Sequence, residues 1–550
     1  MKLRAKKLAI AAALFTVALL GIRAVVPGDN LFEVSKNLEI FATLYKELNL
    51  YYVDETQPGD LMKTGIDAML ESLDPYTNYI TESNIEDYRF MTTGQYGGIG
   101  SLIRTVDGEV FISEPYEDSP AQKAGLKAGD KLIKIDGVSI KGKNQEQISS
   151  LLKGQSGTDL TVKYDRFGEV DEVTLKREDI KIPDVPYYGM IDEKVGYISL
   201  NSFTQTASKE VRKAFVELKN EHGMQKLIFD LRGNGGGLLG EAINIVNFFV
   251  PKGQEVVRTK GKIPEWDKTY IALNEPLDAE IPLVVLVDQS SASASEIVSG
   301  SLQDLDRAII IGNTSFGKGL VQQTKDLQYN SKLKLTVAKY YIPSGRCIQK
   351  LDYSHKNSDG IVEAVPDSLL KKFQTLNGRE VIDGRGIEPD IKVENEEFPH
   401  ILVSLLTENL FFKYANEYAR DHTQIASAAD FDLSDEEYSD FVKYLKGQSY
   451  QYTTDTEKEF EKLVDIAKEE KYYSITEEAF NKMEEAISSK KNNDLELFKS
   501  EIEPILENEI VSRYYFQKGR IENSLAEDLA IDSSLQILAN ADEYSKLLKP

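Results

Sequence analysis

The sequence predicts an α/β multidomain protein with helical regions at both ends. Three observations predict it. Residues from about 92 to 180 form short alternating strands broken by glycine turns. Residues from about 185 to 395 alternate apolar strands with helices, the signature of an α/β core. From about 396 onward, apolar side chains keep helical spacing among dense Glu and Lys. With 550 residues there is room for three or four domains. A composition of 41% hydrophobic and 28% charged residues describes folded chain.

The elements follow in order. Lys2, Arg4, Lys6 and Lys7 precede an uncharged apolar run from Leu8 to Ile22, a basic region leading an export signal or membrane anchor. No small-x-small cleavage site is evident and Ala24 to Val26 extend the run, which favours a retained anchor over a cleaved signal. The positive-inside rule then places the residues after Pro27 outside the cytoplasm. Residues 1–28 form this segment, and residues 29–91 a helical region. There Leu38, Phe41, Leu44, Tyr45 and Leu48 share a helical face, and a second helix carrying Leu61 to Leu70 stops at Asp74-Pro75.

Within 92–180, Ser119-Pro120-Ala121 starts a short helix. Asp130 to Ile140 reads as two strands about the turn Asp136-Gly137, Ile148 to Leu152 as a second helix, and Leu160–Tyr164 with Val170–Lys176 as a hairpin. Within 181–395, the strands Val195–Phe203, Lys226–Leu231, Leu283–Val287 and Ala308–Ile311 are separated by helices at Lys209–Leu218, Leu238–Phe249 and Ser295–Leu305. Leu283–Val287 is wholly aliphatic, so both of its faces should be covered.

Charge and composition exclude several functions. The formal net charge of −25 argues against a nucleic-acid partner, which needs basic surface. Residues 396–550 hold 17 Lys and Arg against 34 Asp and Glu, so most of the excess sits there. A single cysteine, Cys347, excludes an intrachain disulfide and a Cys-rich metal site. The four histidines form no HExxH pattern.

Four segments have residues suited to chemistry. Asp288 to Glu296, reading DQSSASASE, lies between a buried strand and a helix, where a serine is exposed and helix-start amides bind an oxyanion. The same pattern suits a polar turn with a serine N-cap. It leaves Ser290, Ser291, Ser293 and Ser295 equally open as nucleophiles. Gly312 to Gly319 nearly repeats a P-loop, but Gly319 replaces the Mg²⁺-binding hydroxyl and a strand, not a helix, follows. A Gly-flanked lysine packed among apolar groups loses its preference for charge, and the neutral amine can take a proton from a serine. Asp230 to Gly237, reading DLRGNGGG, has the glycines that let backbone amides approach a ligand. Gly97, Gly98, Ile99 and Gly100 open the 92–180 region and suit a cradle for a chain-terminal carboxylate beside an open strand edge.

Together these segments resemble the C-terminal processing peptidases, or tail-specific proteases. The resemblance rests on Leu73 to Thr77, the PDZ-like Gly125 to Gly137, Asp230 to Gly237, Ser291 to Glu296 and Thr314 to Gln322, in the family's order. It implies a PDZ domain at 92–180 inserted before a crotonase-like Ser–Lys protease core at 181–395; on the acidic helical extension at 396–550, an added module, it is silent. It implies Ser293 as nucleophile, Lys318 as general base and Gln322 as the group orienting the lysine. The amides of Ala294 and Gly236 would form the oxyanion hole, and Gly97 to Gly100 would bind substrate. No metal or organic cofactor is implied. The implied partners are proteins or peptides with free C-terminal tails, the inner membrane through residues 8–26, and a second copy of the chain or an adaptor. The implied location is the periplasmic side of a bacterial envelope. Two departures stand out: Gly235 where the family often has proline, and a long insertion between Arg346 and Gly386. An inactive PDZ scaffold and a P-loop-like NTPase are the rival readings.

Overall fold

A computed structural model describes residues 31–357, 361–394, 397–491 and 493–549. The anchor segment expected at 8–26 lies outside the described residues. Among them no helix is long and apolar enough to cross a membrane.

The chain divides into two compact units. The smaller comprises residues up to Ile80 and Thr324–Leu335. In it, the helices Leu31–Tyr51 and Pro58–Glu71 are joined by the Tyr45 hydroxyl, which donates to the Pro58 carbonyl at 2.7 Å. Asp74 then caps its own turn, accepting from the amides of Tyr76 and Thr77. The strand Asn78–Ile80 pairs antiparallel with residues 332–334.

The larger unit holds the rest. Its centre is a six-stranded sheet in the order Tyr187–Met190, Val195–Ser199, Lys226–Asp230, Leu283–Val287, Ile309–Gly312, Ile391–Lys392. All neighbours after the first pair run parallel. Parallel neighbours need crossovers, and the helices Ala207–Asn220, Leu239–Asn247 and Ala294–Asp304 supply the first three of the four. Side chains alternate between the two faces of a strand. Ile198, Leu227, Phe229, Val285 and Ile310 therefore pack under the crossover helices.

The opposite face, with Tyr197, Ile228, Val284, Leu286, Ile309 and Ile311, packs against Ala530, Ile531, Ile537 and Leu538. These four lie on the helix Leu529–Ala539, near the end of the chain. The extension expected as an added module from 396 onward is thus divided. Its first part, Ile401 to Val511, builds a core of its own. Its last helices complete the core of the six-stranded sheet.

The PDZ-like region is a sheet in the order Ser101–Val106, Glu109–Pro115, Lys131–Ile135, Asp159–Arg166, Glu169–Lys176, with the helices Pro120–Lys123 and Gln145–Leu152. Strands Gln95–Gly98 and Glu178–Lys181 pair antiparallel as the two stems of this insertion. Ser101–Val106 is an edge strand.

Candidate active site

Three loops follow the carboxyl ends of three adjacent parallel strands: 231–238 after Lys226–Asp230, 288–293 after Leu283–Val287 and 313–319 after Ile309–Gly312. That end of a parallel sheet is where open α/β folds place ligands. The topology therefore gathers the three segments singled out in the sequence.

The serine loop separates its four hydroxyls. Ser291 and Ser295 are fully buried and donate to backbone carbonyls, Ser291 to Leu231 and Ser295 to Asn234, each at 2.8 Å. Ser290 is exposed, and its amide donates to Asp288. Ser293 is half-buried at the N-cap of the helix Ala294–Asp304, with φ 58° and ψ −107°. A non-glycine residue seldom adopts such a conformation, which costs on the order of 1–3 kcal/mol and persists only where the surroundings enforce it. Ala294 holds the first helical position, whose N–H has no acceptor within the helix.

Glu296 enforces the geometry. Its side chain is fully buried. One oxygen accepts from the Ser293 amide at 2.7 Å and the Lys318 amide at 2.9 Å. The other accepts from the Ser315 hydroxyl at 2.6 Å and the Gly317 amide at 2.7 Å. Burial pushes this carboxyl up to about 7, while the four donors pull the other way. Tyr340, itself buried, repeats the tie from the other side. Its hydroxyl lies 3.1 Å from the Ser293 carbonyl oxygen and 2.5 Å from that of Lys318. A third link runs from the Phe316 amide to the Ser291 carbonyl at 3.0 Å. Ser293 and Lys318 are thus bound through backbone amides to one carboxylate and through backbone carbonyls to one phenol.

The insertion between Arg346 and Gly386 braces the lysine loop at its roots. The Gln349 side chain accepts from the Gly319 amide at 2.8 Å, and the Lys350 amide donates to the Gly317 carbonyl at 2.9 Å. The Ile387 amide donates to the Ser315 hydroxyl at 2.7 Å. Lys318 is half-buried. The strand Leu320–Asp326 follows it directly, which removes the helix a P-loop requires.

The remaining expected residues fall as follows. Gln322 lies on that strand, and its amide donates to Thr336 Oγ1 at 3.2 Å. Gly236 has φ 101°, and a Cβ there would stand 2.9 Å from Ser293 Cβ and 3.0 Å from the Ala294 nitrogen. Only glycine fits that approach. The Gly236 N–H, however, donates to Asn234 Oδ1 at 2.8 Å, so it does not point freely at the site. Gly97 and Gly98 sit in the stem ladder opposite Asp179 and Glu178 rather than in an open cradle. Ile99 and Gly100 lead into the edge strand, and their carbonyls accept from the Ala121 and Tyr116 amides. On the edge strand the Ile103 carbonyl accepts from the Gln145 side chain at 3.0 Å.

Comparison with known proteins decides the family. Residues 194–355 match Peptidase family S41, residues 111–166 a PDZ domain, and residues 401–538 the C-terminal helical domain of probable PDZ-proteases. A probable CtpA-like serine protease of Staphylococcus aureus (strain COL) is 35% identical over 373 residues, 67% of this chain and 72% of that protein.

The chain belongs to peptidase family S41.

A carboxy-terminal-processing protease of Bartonella bacilliformis is likewise 35% identical, over 64% of this chain and 80% of its own length. Among solved structures, the photosystem II D1 C-terminal processing protease is 26% identical, covering 68% of this chain and 95% of that one with a TM-score of 0.35. The protein is a serine peptidase of the carboxy-terminal-processing group with a PDZ domain. Within this S41 peptidase, two residues at the site were missed in the sequence. Glu296 had a signal: Ser293-x-x-Glu296 before an apolar helix is the capping-box spacing. Tyr340 had none, since an alternating strand gives every aromatic the same appearance.

Proposed function

We propose that this S41 peptidase is an endopeptidase that binds the C-terminal tails of extracytoplasmic proteins and cuts them with a Ser293–Lys318 dyad. The observation that carries the proposal is the double tie of Glu296 and Tyr340, which holds these two residues, on loops from adjacent strands, to common partners.

In this reading the neutral Lys318 amine takes the Ser293 hydroxyl proton as Oγ attacks the scissile carbonyl. The Ala294 N–H at the helix start stabilises the oxyanion. Gly236 joins it once Asn234 releases the Gly236 amide. The C–N bond breaks, Lys318 returns the proton to the leaving amine, and the acyl group stays on Ser293 until water hydrolyses it. The Gln322 side-chain oxygen accepts from the lysine amine, with the Thr336 bond setting the amide's orientation. The tail adds as a strand along Ser101–Val106, displacing Gln145 from the Ile103 carbonyl. The basic N-terminus and apolar run at 8–26 support export, with the chain held at the periplasmic face of the inner membrane.

Ser293→Ala and Lys318→Ala should each abolish cleavage of an unstructured substrate with a free tail while leaving the thermal unfolding profile in place. Cleavage persisting in either variant sinks the dyad. The inactive-scaffold reading predicts no cleavage by the unsubstituted protein.

A further inference from the structure

The PDZ domain and the C-terminal helical domain meet at a face made of paired charges and aromatic contacts. Phe412 of the helix Leu410–Asp421 meets two guanidinium groups, Arg104 of the PDZ edge strand at 4.7 Å and Arg513 at 5.0 Å from the ring centre. Phe111 meets the same ring edge-on. Lys413 pairs with Asp107 at 2.9 Å. At the centre, buried Glu114 of the strand Glu109–Pro115 pairs with Arg520 at 2.6 Å. Glu114 Oε1 and Arg520 Nε are buried without hydrogen-bond partners. The Glu114 side chain is buried and that of Arg520 is 35% exposed; a half-buried pair so incompletely satisfied contributes little net stability and acts mainly to fix register.

Eight residues beyond Arg520, the same segment reaches the active-site loop. Asp528 caps the helix Leu529–Ala539, accepting from the amides of Ala530 and Ile531. Its other oxygen pairs with Arg232 at 2.7 Å. Arg232 begins the Gly-rich loop and is also held by Asp230, which in turn accepts from the Tyr197 hydroxyl. Between the two ends the segment is fixed. Ile521 and Leu525 pack on the sheet face, and Asn523 donates to the Ala428 and Phe431 carbonyls.

We propose that Arg520 and Asp528 are positioning residues that couple the placement of the PDZ domain to the conformation of the 231–238 loop. The proposal rests on the reading of that loop as part of the oxyanion site. Coupling of this kind is reciprocal, so a change at either end must be felt at the other.

The test is amide hydrogen exchange on the full chain carrying Ser293→Ala, so that no self-cleavage intervenes. Arg520→Gln should speed exchange at 231–238 by about fivefold or more. Asp528→Asn, which keeps an effective helix cap, should do the same at 231–238 and also at 101–115. Lys413→Gln, which breaks the same domain face away from the segment, should alter 101–115 alone. In the Ser293-containing enzyme, Arg520→Gln should lower kcat with little change in KM, and Arg520→Lys should recover most of the loss. Exchange at 231–238 that stays unchanged in Arg520→Gln overturns the proposal, as does equal opening by Lys413→Gln. Faster exchange in Asp528→Asn confined to residues 529–539 marks a merely structural cap and also overturns it. Failure of the dyad reading appears separately, as cleavage by the Ser293→Ala protein.

Discussion

Glu296 links the chemistry of the site to its stability. Its ordinary value of 4.5 rises to about 7 because burial outweighs four hydrogen-bond donors. Between those two values the folded protein keeps a proton that the unfolded chain has released. Stability from this group is therefore present in full below about pH 4.5 and lost as pH rises through about 7, amounting to roughly 3 kcal/mol. Above that range the ionised carboxylate accepts all four donors and ties Ser293 to Lys318 most firmly. The site gains definition as the core loses stability. Glu296→Gln should flatten the fall in unfolding free energy between pH 4.5 and 8, read by denaturant titration at each pH. It should also lower kcat, because its amide nitrogen faces N–H donors. An unaltered slope in this variant would show that another group sets the pH dependence. At this scale the sequence places the serine cluster and the lysine on loops that follow buried strands, where the fold has them, and the hydrogen bonds of Ser291 and Ser295 to backbone carbonyls distinguish them from Ser293.

At the scale of elements, strand positions were largely legible because aliphatic runs bounded by glycines leave few alternatives. Leu283–Val287 was read without error, and the PDZ hairpin within two residues. The all-aliphatic strand also implied cover on both faces. Periodicity could not say what supplied the second cover, since it comes from Leu529–Ala539, far along the chain. The acidic surface of the surrounding extension concealed it. This placement carries a prediction. Ile531, 2% exposed against the sheet, should cost about 2–5 kcal/mol when replaced by Ala, and the loss should appear in the unfolding transition of the peptidase core. If only a separate helical-domain transition shifts, the helix is not part of that core. The hydrogen bond from the Gly236 amide to Asn234 escaped sequence reasoning for a related cause. The glycine spacing shows where the backbone approaches Ser293, but not which side chain, here Asn234, holds its N–H.

At the scale of the whole molecule, the PDZ insertion, the peptidase core and the helical domain share contacts that the linear order of segments does not reveal. The open edge of Ser101–Val106 can take a strand, and Gln145 already occupies one of its acceptors. Tail binding should therefore depend on the free carboxylate at the strand's end. Amidating the final residue of an unstructured substrate should raise KM at least tenfold with a smaller effect on kcat, read by steady-state cleavage. Equal cleavage of both forms would mean that the tail is not read there. The central claim, that Ser293 is acylated with Lys318 as its base, has a more direct test. Rapid acid quench during turnover, followed by mass spectrometry of the peptide bearing residues 288–296, should find the N-terminal substrate fragment esterified to Ser293. The adduct should be absent in Lys318→Ala. An adduct on Ser290, Ser291 or Ser295, or one that forms undiminished without Lys318, would contradict the account.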